Sequence, residues 1–313
     1  MQTQPLISFV MPAYKVEWLA QAVDSILAQT YPAIELIVVN DCSPHDLDSV
    51  MARYTDPRVR YYRNEQNIGG KHLTRQWEHC IEFVRGEYLV MAADDDLYAP
   101  TFAEECMKLA MQHPSVDLIR TRVEEIDEVG TLVGLEAFNA PKGLISQLEY
   151  IYAYRSGEVF ICMGNFAFKT SVLREKGFVD FPRALGSDIA TTIEMAANGV
   201  ACSDQALFAF RHSTIHLSGS IAQLEPKMEA ITLFYEWMER YPIPAPQDKY
   251  EVYYASKLTS HDWHEKCIYD YYNMVVRYVP MLQLSHFLSL ARHASSKEKA
   301  KMILRWSKDR LAR

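Results

Sequence analysis

Short apolar runs alternate with segments of helical periodicity over roughly the first hundred residues of the chain. The runs "LISFVMPAY", "AIELIVVND", "VRYYRNE" and "GEYLVMAADDD" are rich in β-branched or aromatic residues and end in proline or polar residues, which is typical of strands. The segments between them, such as "EWLAQAVDSILAQT", carry apolar residues at helical spacing. This alternation predicts a Rossmann-like α/β fold, with a mostly parallel sheet and helices on both faces.

Composition and charge narrow the class of protein. Of the 313 residues, 49% are hydrophobic and 23% are charged, so the chain can bury a sizeable core. The net charge of −8 argues against a surface built for nucleic acid. The six cysteines form no CxxC pair, the N-terminus does not resemble a signal peptide, and no apolar run is long enough to span a membrane. We therefore expect a cytoplasmic protein with free thiols.

Polar residues follow each of the four predicted strands. They occupy positions 12–14, 40–41, 64–67 and 94–96. In open α/β sheets, ligands bind in a crevice at the carboxyl ends of the strands. We therefore expect these four groups of residues to line one binding crevice.

Three consecutive carboxylates, Asp94, Asp95 and Asp96, follow the fourth run and are called the carboxylate cluster below. Adjacent like charges repel one another and are costly to bury unless a cation neutralises them. Mg²⁺ and Mn²⁺ prefer oxygen ligands and often bind one or two carboxylates together with substrate phosphates. The cluster therefore suits a nucleotide diphosphate ligand with a divalent ion. The alternative is a solvated acidic turn at the start of the next helix.

The order of these motifs resembles that of the family 2 glycosyltransferases with the GT-A fold. The resemblance rests on "VMPAY", "VVNDCS", "NEQNIGG" and "YLVMAADDDLYAP", and it extends over roughly residues 5–220. It implies an inverting, metal-dependent hexosyltransferase of the bacterial polysaccharide-biosynthesis type, with Mn²⁺ or Mg²⁺ as cofactor. The implied donor is a nucleotide diphosphate sugar, in particular a UDP-sugar, and the implied acceptor is a saccharide or a lipid-linked saccharide. Residues 1–220 would form the catalytic domain, and residues 221–313 a helical C-terminal region that faces the acceptor or the membrane.

The resemblance also implies donor-binding roles for residues that follow the first three strands. These are Pro12, Ala13, Tyr14, Asp41, Asn67, Gly69 and Lys71. The turn at positions 12–14 would line the nucleoside pocket, Asp41 would accept a hydrogen bond from the base, and Lys71 would reach the diphosphate as a point charge. The alternatives are a turn or cap residue for Asp41 and a solvated lysine for Lys71.

Within the carboxylate cluster, the resemblance implies that Asp94 faces the ribose and that Asp95 binds the metal. Asp96 and His216 would be further metal ligands. His212 and His216 are four positions apart, but the glutamate of an HExxH zinc motif is absent, so surface or structural histidines are the alternative.

Two positions depart from the family's pattern. Cys42 stands where the family has the glycine of an Asp-Gly-Ser triplet, and Ala93 stands where it has the first carboxylate of Asp-Ser-Asp-Asp. These departures leave room for a catalytically inactive nucleotide-sugar-binding module. A sugar-1-phosphate nucleotidyltransferase is a second alternative, but that class has a glycine-rich phosphate loop where this chain has "PAYKVEW".

A direct displacement at the sugar carbon needs a general base that takes the proton of the acceptor hydroxyl. The segment "GSDIATTIEMAANG" has the periodicity of a helix that opens near Ser187 or Asp188. In the family, an acidic residue opens a helix in this region, which implies that Asp188 is the base. The alternative is an ordinary N-cap aspartate, which the same position also satisfies.

The last residues of the chain are basic and amphipathic. From Ala291 to Arg313 there are eight Lys or Arg residues and two Asp or Glu residues, a local net charge of +6. A basic amphipathic helix binds anionic membrane surfaces, so peripheral contact with the inner face of the membrane is one expectation. The alternative is a solvated helix that packs on the protein body or contacts another subunit.

Overall fold

The computed structural model describes residues 4–213 and 223–311 of the chain. The chain divides into two compact units. The first comprises residues 1–179 and 188–213, and the second comprises residues 180–187 and the chain from residue 214 onward. The predicted domain boundary at residue 220 lies outside the described residues and stays a prediction.

The first unit is built around one mixed sheet. Its strands are β1 (Ile7–Ala13), β2 (Ile34–Asn40), β3 (Val59–Arg63), β4 (Tyr88–Met91), β5 (Leu97–Tyr98), β6 (Leu118–Ile126), β7 (Leu132–Leu135), β8 (Gly143–Ile145), β9 (Phe166–Lys169) and β10 (Val200–Arg211). The order is β3-β2-β1-β4-β9-β6-β10-β5, with β7 beside β6 and β8 beside β10. The pairs β1–β2, β2–β3, β1–β4 and β6–β10 are parallel, whereas β5, β7, β8 and β9 pair antiparallel. The predicted α/β class is confirmed, and the antiparallel strands were not predicted.

Helices connect these strands and form most of the second unit's described part. They are α1 (Leu19–Leu27), α2 (Leu47–Met51), α3 (Leu73–Ile81), α4 (Phe102–Gln112), α5 (Gln147–Ser156), α6 (Thr170–Lys176), α7 (Ser187–Met195), α8 (Leu224–Arg240), α9 (Lys249–Ala255), α10 (Ser260–Asp270), α11 (Leu284–Leu290) and α12 (Ser296–Leu311). The predicted helical character of the C-terminal region is thereby confirmed for its described residues. Among the described helices, none combines the length and the apolar composition needed to cross a membrane.

The parallel register brings the carboxyl ends of four strands to one edge of the sheet. Ala13 at the end of β1 pairs with Asn40 at the end of β2, which pairs with Arg63 at the end of β3. On the other side of β1, the short strand β4 ends at Met91. The chain after β4 therefore runs past the end of β1, which brings residues 94–96 next to the turn after Ala13.

The centre of the sheet is buried on both faces, as the continuous apolar runs predict. All seven residues of β2 are buried, including its one charged residue, Glu35. The Glu35 carboxylate accepts hydrogen bonds from the Ser8 hydroxyl at 2.6 Å and from the Arg60 guanidinium at 2.6 Å. A buried carboxylate is tolerated when it is paired in this way.

Helix α3 begins at Leu73, three residues later than the predicted start near Gly70. The side chain of Asn67 explains the delay, because its Oδ1 atom accepts a hydrogen bond from the Gly70 N–H at 2.8 Å. The next N–H groups, of Lys71 and His72, both donate to the carbonyl oxygen of Ile68, at 3.1 and 3.0 Å. Residues 67–72 therefore form a turn rather than the first turn of the helix.

Candidate active site

Asp94 is held by the turn that follows β1. Its Oδ2 atom accepts hydrogen bonds from the backbone N–H groups of Tyr14 and Lys15, at 2.7 and 2.6 Å. These groups are about 80 positions apart in the chain and meet because β1 and β4 are neighbours in the sheet. Asp94 is buried, and its other oxygen, Oδ1, lies 3.3 Å from the ammonium of Lys15.

Lys15 supplies a cation to the carboxylate cluster. Its ammonium forms an ion pair with Asp95 Oδ2 in addition to its contact with Asp94. The side chain of Lys15 is 21% exposed, whereas those of Asp94 and Asp95 are 5% and 8% exposed. Lys15 is absent from the residues that the sequence predicts. The available signal was a basic residue directly after the turn at positions 12–14.

Asp96 is held by β10. Its Oδ1 atom accepts a hydrogen bond from the backbone N–H of Arg211 at 2.9 Å. The Arg211 guanidinium is buried and donates to the backbone carbonyl of Asp95 at 2.7 Å. It also donates to the carbonyl oxygens of Asp127 and Glu128 and to the side chain of Gln21, at 3.2, 3.1 and 3.0 Å. Arg211 therefore fixes the backbone of the cluster, while its positive charge is directed to carbonyl oxygens.

Burial increases the affinity of the cluster for positive charge. Burial raises the pKa of Asp96 well above its ordinary value, and the charge of Asp95 adds to the rise. Burial also raises the pKa of Asp94, although Lys15 acts against this rise. Burial alone would lower the pKa of Lys15, but Asp94 and Asp95 outweigh it and hold the pKa above its ordinary value. The cluster therefore favours a proton, an ammonium or a metal ion close by.

Asp41 organises a second loop at the same edge of the sheet. Its carboxylate oxygens accept four hydrogen bonds, from the side-chain amides of Asn64 and Asn67 at 2.9 and 3.0 Å, and from the N–H groups of Ile68 and Gly69 at 2.8 and 2.7 Å. A carboxylate offers about four lone-pair sites, so the loop uses all of them. The hydrogen bond from a nucleoside base stays a prediction, and it requires one of these donors to give way.

The turn at positions 12–14 is joined to the loop after β2. Pro12 and Ala13 lie at the end of β1, and the Ser43 hydroxyl donates a hydrogen bond to the carbonyl oxygen of Tyr14 at 2.5 Å. The Tyr14 side chain is 44% exposed, and its ring lies 6.5 Å from the ring of His45. Tyr14 therefore presents an aromatic ring at the crevice, which suits contact with a flat base.

Cys42 adopts the backbone conformation for which glycine is best suited. Its φ of 49° lies in the left-handed region, which costs about 1–2 kcal/mol for a residue with a Cβ atom. The thiol lies 3.6 Å from the carbonyl oxygen of Glu65, on the loop that Asp41 organises. Cys42, which replaces the family's glycine, is therefore a strained residue within the predicted nucleoside pocket.

The glycines after Asn67 permit a close approach of backbone to side chains. A Cβ atom on Gly70 would come within 2.1 Å of Asn67 Oδ1, and one on Gly69 within 3.0 Å of Asp41 Oδ2. A side chain at Gly70 would force the Asn67 side chain to move, and one at Gly69 would require a shift of a few tenths of an ångström. Lys71 follows the two glycines within this turn and is exposed.

Asp188 lies in the first turn of α7, at the predicted helix start. The residue as a whole is half-buried, and its carboxylate accepts a hydrogen bond from the N–H of Ile189 at 2.8 Å. Burial raises the pKa of Asp188 to about 6, in spite of this hydrogen bond. A carboxylate that is ionised at neutral pH but more basic than usual suits a general base.

The backbone that leads into Asp188 is strained. Arg183 and Ala184 have φ values of 60° and 55°, and Gly186 has a φ of 84°. Non-glycine residues in this region persist only when the surrounding structure holds them, and such strain is often found at functional sites.

The charges of Asp96 and Asp188 both affect the thiol of Cys162. Burial raises the pKa of Cys162 well above its ordinary value, and the charges of Asp96 and Asp188 raise it further. Both carboxylates therefore lie within electrostatic reach of one thiol. Asp188 and the carboxylate cluster both belong to the first unit.

The predicted metal ligand His216 lies outside the described residues, so its role stays a prediction. The nearby His212 is described and is 44% exposed in its side chain. Its Nε2 atom lies 2.6 Å from Glu125 Oε2, and its backbone N–H donates to the carbonyl oxygen of Ile126 at 2.8 Å. These contacts tie the end of β10 to β6.

No group of three or more His, Cys, Asp or Glu side chains in residues 4–213 and 223–311 is arranged to hold a metal ion. The cluster shows why, since Asp94 Oδ2 is held by the turn after β1 and Asp96 by β10. Only Asp95 Oδ2 and Asp94 Oδ1 share a cation, the ammonium of Lys15. One or two carboxylates with substrate phosphates are the usual ligands of Mg²⁺. These residues therefore fit a divalent ion that binds together with a diphosphate.

Comparisons with known proteins identify relatives of the chain. A putative colanic acid biosynthesis glycosyl transferase, WcaA of Escherichia coli, is 36% identical over 103 residues, which is 32% of this chain and 36% of WcaA. The chain spans between 15% and 36% of the length of four curated relatives that it matches.

Solved structures agree in fold. The structure of Staphylococcus aureus TarS 1–349 in complex with UDP-GlcNAc has a TM-score of 0.70 at 16% identity, covering 91% of this chain and 79% of that chain. The mannosyltransferase PcManGT from Pyrobaculum calidifontis, in complex with GDP-Man and Mn²⁺, has a TM-score of 0.56 at 17% identity, covering 98% and 81%. At such identities the likeness shows the fold alone, which is the GT-A fold.

The family model described as glycosyl transferase family 2 matches residues 8–177. The matched segment is more than half of the chain and contains the turn at positions 12–14, Asp41 and the carboxylate cluster. The predicted resemblance is therefore confirmed, and this chain belongs to glycosyl transferase family 2.

Proposed function

We propose that the protein is an inverting glycosyltransferase that moves a hexosyl unit from a UDP-sugar to a hydroxyl group of a saccharide or a lipid-linked saccharide. The observation that carries the proposal is the buried carboxylate cluster in a family 2 chain, held by the turn after β1 and by β10, together with a further carboxylate, Asp188, whose pKa burial raises to about 6. UDP-GlcNAc in the TarS complex and GDP-Man in the PcManGT complex support a nucleotide sugar as donor.

In the proposed reaction, the acceptor oxygen attacks the anomeric carbon from the side opposite the diphosphate. Asp188 accepts the hydroxyl proton as the new carbon–oxygen bond forms, and the diphosphate leaves with the electron pair of the broken bond. A single displacement of this kind inverts the configuration of the sugar. With a pKa of about 6, Asp188 is mostly ionised at neutral pH and is a stronger base than an exposed aspartate.

The donor is proposed to bind along the carboxyl ends of β1 and β2. The turn at positions 12–14 would contact the nucleoside, with the exposed Tyr14 ring against the base. One hydrogen-bonded loop contains Asp41, Asn67 and Gly69. This loop would shape the pocket, and Asp41 would accept a hydrogen bond from the nucleoside base. Lys71, exposed after that loop, would reach a diphosphate oxygen.

The carboxylate cluster is proposed to hold the diphosphate end of the donor. Asp94 would face the ribose, and Asp95 would be the main ligand of Mn²⁺ or Mg²⁺, with Asp96 and His216 as further proposed ligands. When bound, the divalent ion offsets the negative charge that develops on the departing diphosphate. The Mn²⁺ in the PcManGT complex supports this assignment.

Helix α12 supports an acceptor that is presented at a membrane surface. Ile303, Leu304 and Leu311 are 41%, 65% and 89% exposed, on a helix that also carries most of the basic residues of the C-terminal segment. A helix with this composition adsorbs to anionic bilayers through its apolar side chains and its charge. We propose that α12 makes a peripheral contact with the inner face of the membrane, where lipid-linked saccharides would be available.

Calorimetric titration of UDP, GDP and dTDP, each with and without Mn²⁺, tests the donor class. We expect UDP to bind in a Mn²⁺-dependent manner, and Asp95→Ala to remove that dependence. Asp204→Asn, which changes an exposed aspartate on β10, is the matched control and should bind as the wild type does. If no nucleotide binds in a metal-dependent manner, the proposed role of the cluster is wrong.

Transfer assays with UDP-sugars and a panel of saccharide acceptors test the base. We expect Asp188→Asn to keep UDP binding and to lose transfer by about 10²–10⁴-fold, which is the usual contribution of a general base. Transfer at the wild-type rate by Asp188→Asn would exclude Asp188 as the base.

A further inference from the structure

The carboxylate cluster already contains a cation of its own. The ammonium of Lys15 forms an ion pair with Asp95 Oδ2 and lies 3.3 Å from Asp94 Oδ1. These are the oxygen atoms that a divalent ion is proposed to use. Two cations cannot share the same pair of oxygens at such distances without strong mutual repulsion.

We propose that Lys15 is the resident counter-ion of the cluster and exchanges with the divalent cation when the donor binds. The inference rests on the proposed function, and it adds a positioning residue that couples the two ligands. In the absence of metal, Lys15 neutralises Asp95. When the metal and donor bind, the ammonium leaves Asp95 and pairs with the diphosphate.

The contacts of Lys15 allow its side chain to move while its backbone stays in place. Asp94 Oδ2 is bonded to the backbone N–H groups of Tyr14 and Lys15, and these bonds do not involve the ammonium. The Lys15 side chain is 21% exposed, and lysine has a flexible four-carbon stem. Departure of the ammonium from Asp95 therefore leaves the turn after β1 attached to Asp94.

The charges of the ligands favour the exchange. A nucleoside diphosphate brings negatively charged phosphate oxygens to the edge of the sheet, and a lysine ammonium binds phosphate as a point charge. The divalent ion then neutralises Asp95 in place of the single positive charge of the Lys15 ammonium. Metal alone must displace Lys15 without this compensation, so we expect the wild type to bind metal weakly without the nucleotide and more tightly with it.

Removal of the lysine charge tests the exchange directly. Binding of Mn²⁺ alone, measured by the loss of the free-ion EPR signal, is compared between the wild type, Lys15→Met and Lys142→Met, which removes an exposed lysine elsewhere in the first unit. We expect Lys15→Met to bind Mn²⁺ at least about tenfold more tightly than the wild type, because no cation competes for Asp95. Lys142→Met should bind Mn²⁺ as the wild type does.

Two further measurements use the same variants. In saturating Mn²⁺, UDP should bind about tenfold more weakly to Lys15→Met, because the ammonium–phosphate contact is lost. The rise in unfolding temperature on addition of Mn²⁺ should be larger for Lys15→Met than for the wild type. Lys15→Gln, which keeps a hydrogen-bond donor but no charge, serves where Lys15→Met does not fold, and should show the same direction of change.

The outcomes separate this inference from the proposed function. Equal or weaker Mn²⁺ binding by both neutral variants overturns the exchange, and metal-dependent UDP binding by the wild type would then leave the transferase proposal intact. Tighter Mn²⁺ binding by the variants supports the exchange even if no sugar transfer is found with any donor. If neither the wild type nor the variants bind Mn²⁺ with or without UDP, both proposals are wrong.

Discussion

Two acidic sites lie at the same edge of the sheet and are stabilised in opposite ways. Asp41, after β2, is surrounded by four uncharged N–H donors that use all of its lone pairs. In the carboxylate cluster, after β4, burial raises the pKa values of Asp94 and Asp96, and Asp95 pairs with the ammonium of Lys15. Neutral donors satisfy a carboxylate by hydrogen bonding, whereas a buried group of like charges also needs an opposite charge nearby.

The difference divides the work of the site between the two loops. The Asp41 loop has all of its hydrogen bonds without a ligand, so a hydrogen bond from the proposed nucleoside would have to replace one of them. The cluster gains most when positive charge arrives, so under the proposed exchange it is the part whose state changes with metal and diphosphate. Two aspartates that look alike in sequence therefore have different physical roles, one in shape and one in charge.

The largest expected effect follows from removal of the Asp95 charge in the carboxylate cluster. Asp95→Asn should lower kcat/KM for sugar transfer by about a thousandfold, or about 4 kcal/mol, because the departing diphosphate loses its main stabilising partner. Steady-state assays at saturating Mn²⁺ measure the change, with the exposed Asp204→Asn as control. A loss of less than tenfold would mean that the cluster does not act on the leaving group.

The second largest expected effect is a loss of stability when the Asp41 carboxylate is removed. Asp41→Ala should lower the free energy of unfolding by about 2–4 kcal/mol, because it leaves four partly buried donors without an acceptor. Asp95→Ala, studied without metal, should change the free energy much less, since it relieves repulsion within the cluster. Urea titrations of both variants measure the difference. A larger loss of stability in Asp95→Ala than in Asp41→Ala would contradict the distinction between a carboxylate that fixes the shape of a loop and one that binds a cation.

Asp188 extends the comparison to a carboxylate with one described hydrogen bond and a pKa of about 6. Because activity requires the ionised form, kcat/KM should fall about tenfold from pH 7 to pH 5. A raised pKa also means that the folded state binds this proton more tightly than the unfolded state. Ionisation of Asp188 therefore lowers stability as the pH rises through about 6.

The stability part of this prediction has its own measurement. Asp188→Asn should unfold at a higher temperature than the wild type at pH 7–8, and this difference should shrink toward pH 5. The exposed Asp204→Asn should show no such trend. A flat pH–rate profile between pH 5 and 7, or a destabilised Asp188→Asn at pH 8, would count against the proposed base.

The smallest expected effect concerns the backbone strain at Cys42, in the loop after β2. Cys42→Gly should raise the free energy of unfolding by about 0.5 kcal/mol, since relief of the left-handed strain slightly exceeds the entropy cost of glycine. Cys42→Ala keeps the Cβ atom and the strain, so it should not be stabilised. Thermal unfolding of the two variants separates the backbone effect from the thiol contact with Glu65. Equal behaviour of both variants would show that φ is not the source of strain.

Local patterns in the sequence predict much of this molecule. The apolar runs predict β1 to β4, and the polar residues that follow them predict the edge at which the candidate site lies. The position of Asp188 at a helix start is also visible, because the periodicity of α7 is local. These predictions succeed because strand and helix patterns depend on neighbours within a few residues.

What escapes the sequence depends on contacts between distant residues. The ion pair of Lys15 with Asp95 joins positions 80 residues apart, and it follows from the neighbouring positions of β1 and β4 rather than from any motif. The saturation of Asp41 depends on how the turn after Asn67 folds back, which also delays α3. The antiparallel strand β9, between β4 and β6, depends on sheet pairing that no single run encodes.

The position of Arg211 in the chain has a consequence for the order in which the protein is assembled. Its bonds to Asp96, Asp95 and Gln21 span between 115 and 190 residues. During synthesis from the N-terminus, β1 to β4 and all three aspartates leave the ribosome long before Arg211 does. A nascent chain that ends before residue 211 can pair its first strands, but it lacks the anchor for the backbone of Asp95. The anchor of the carboxylate cluster is therefore acquired late, when β10 is added.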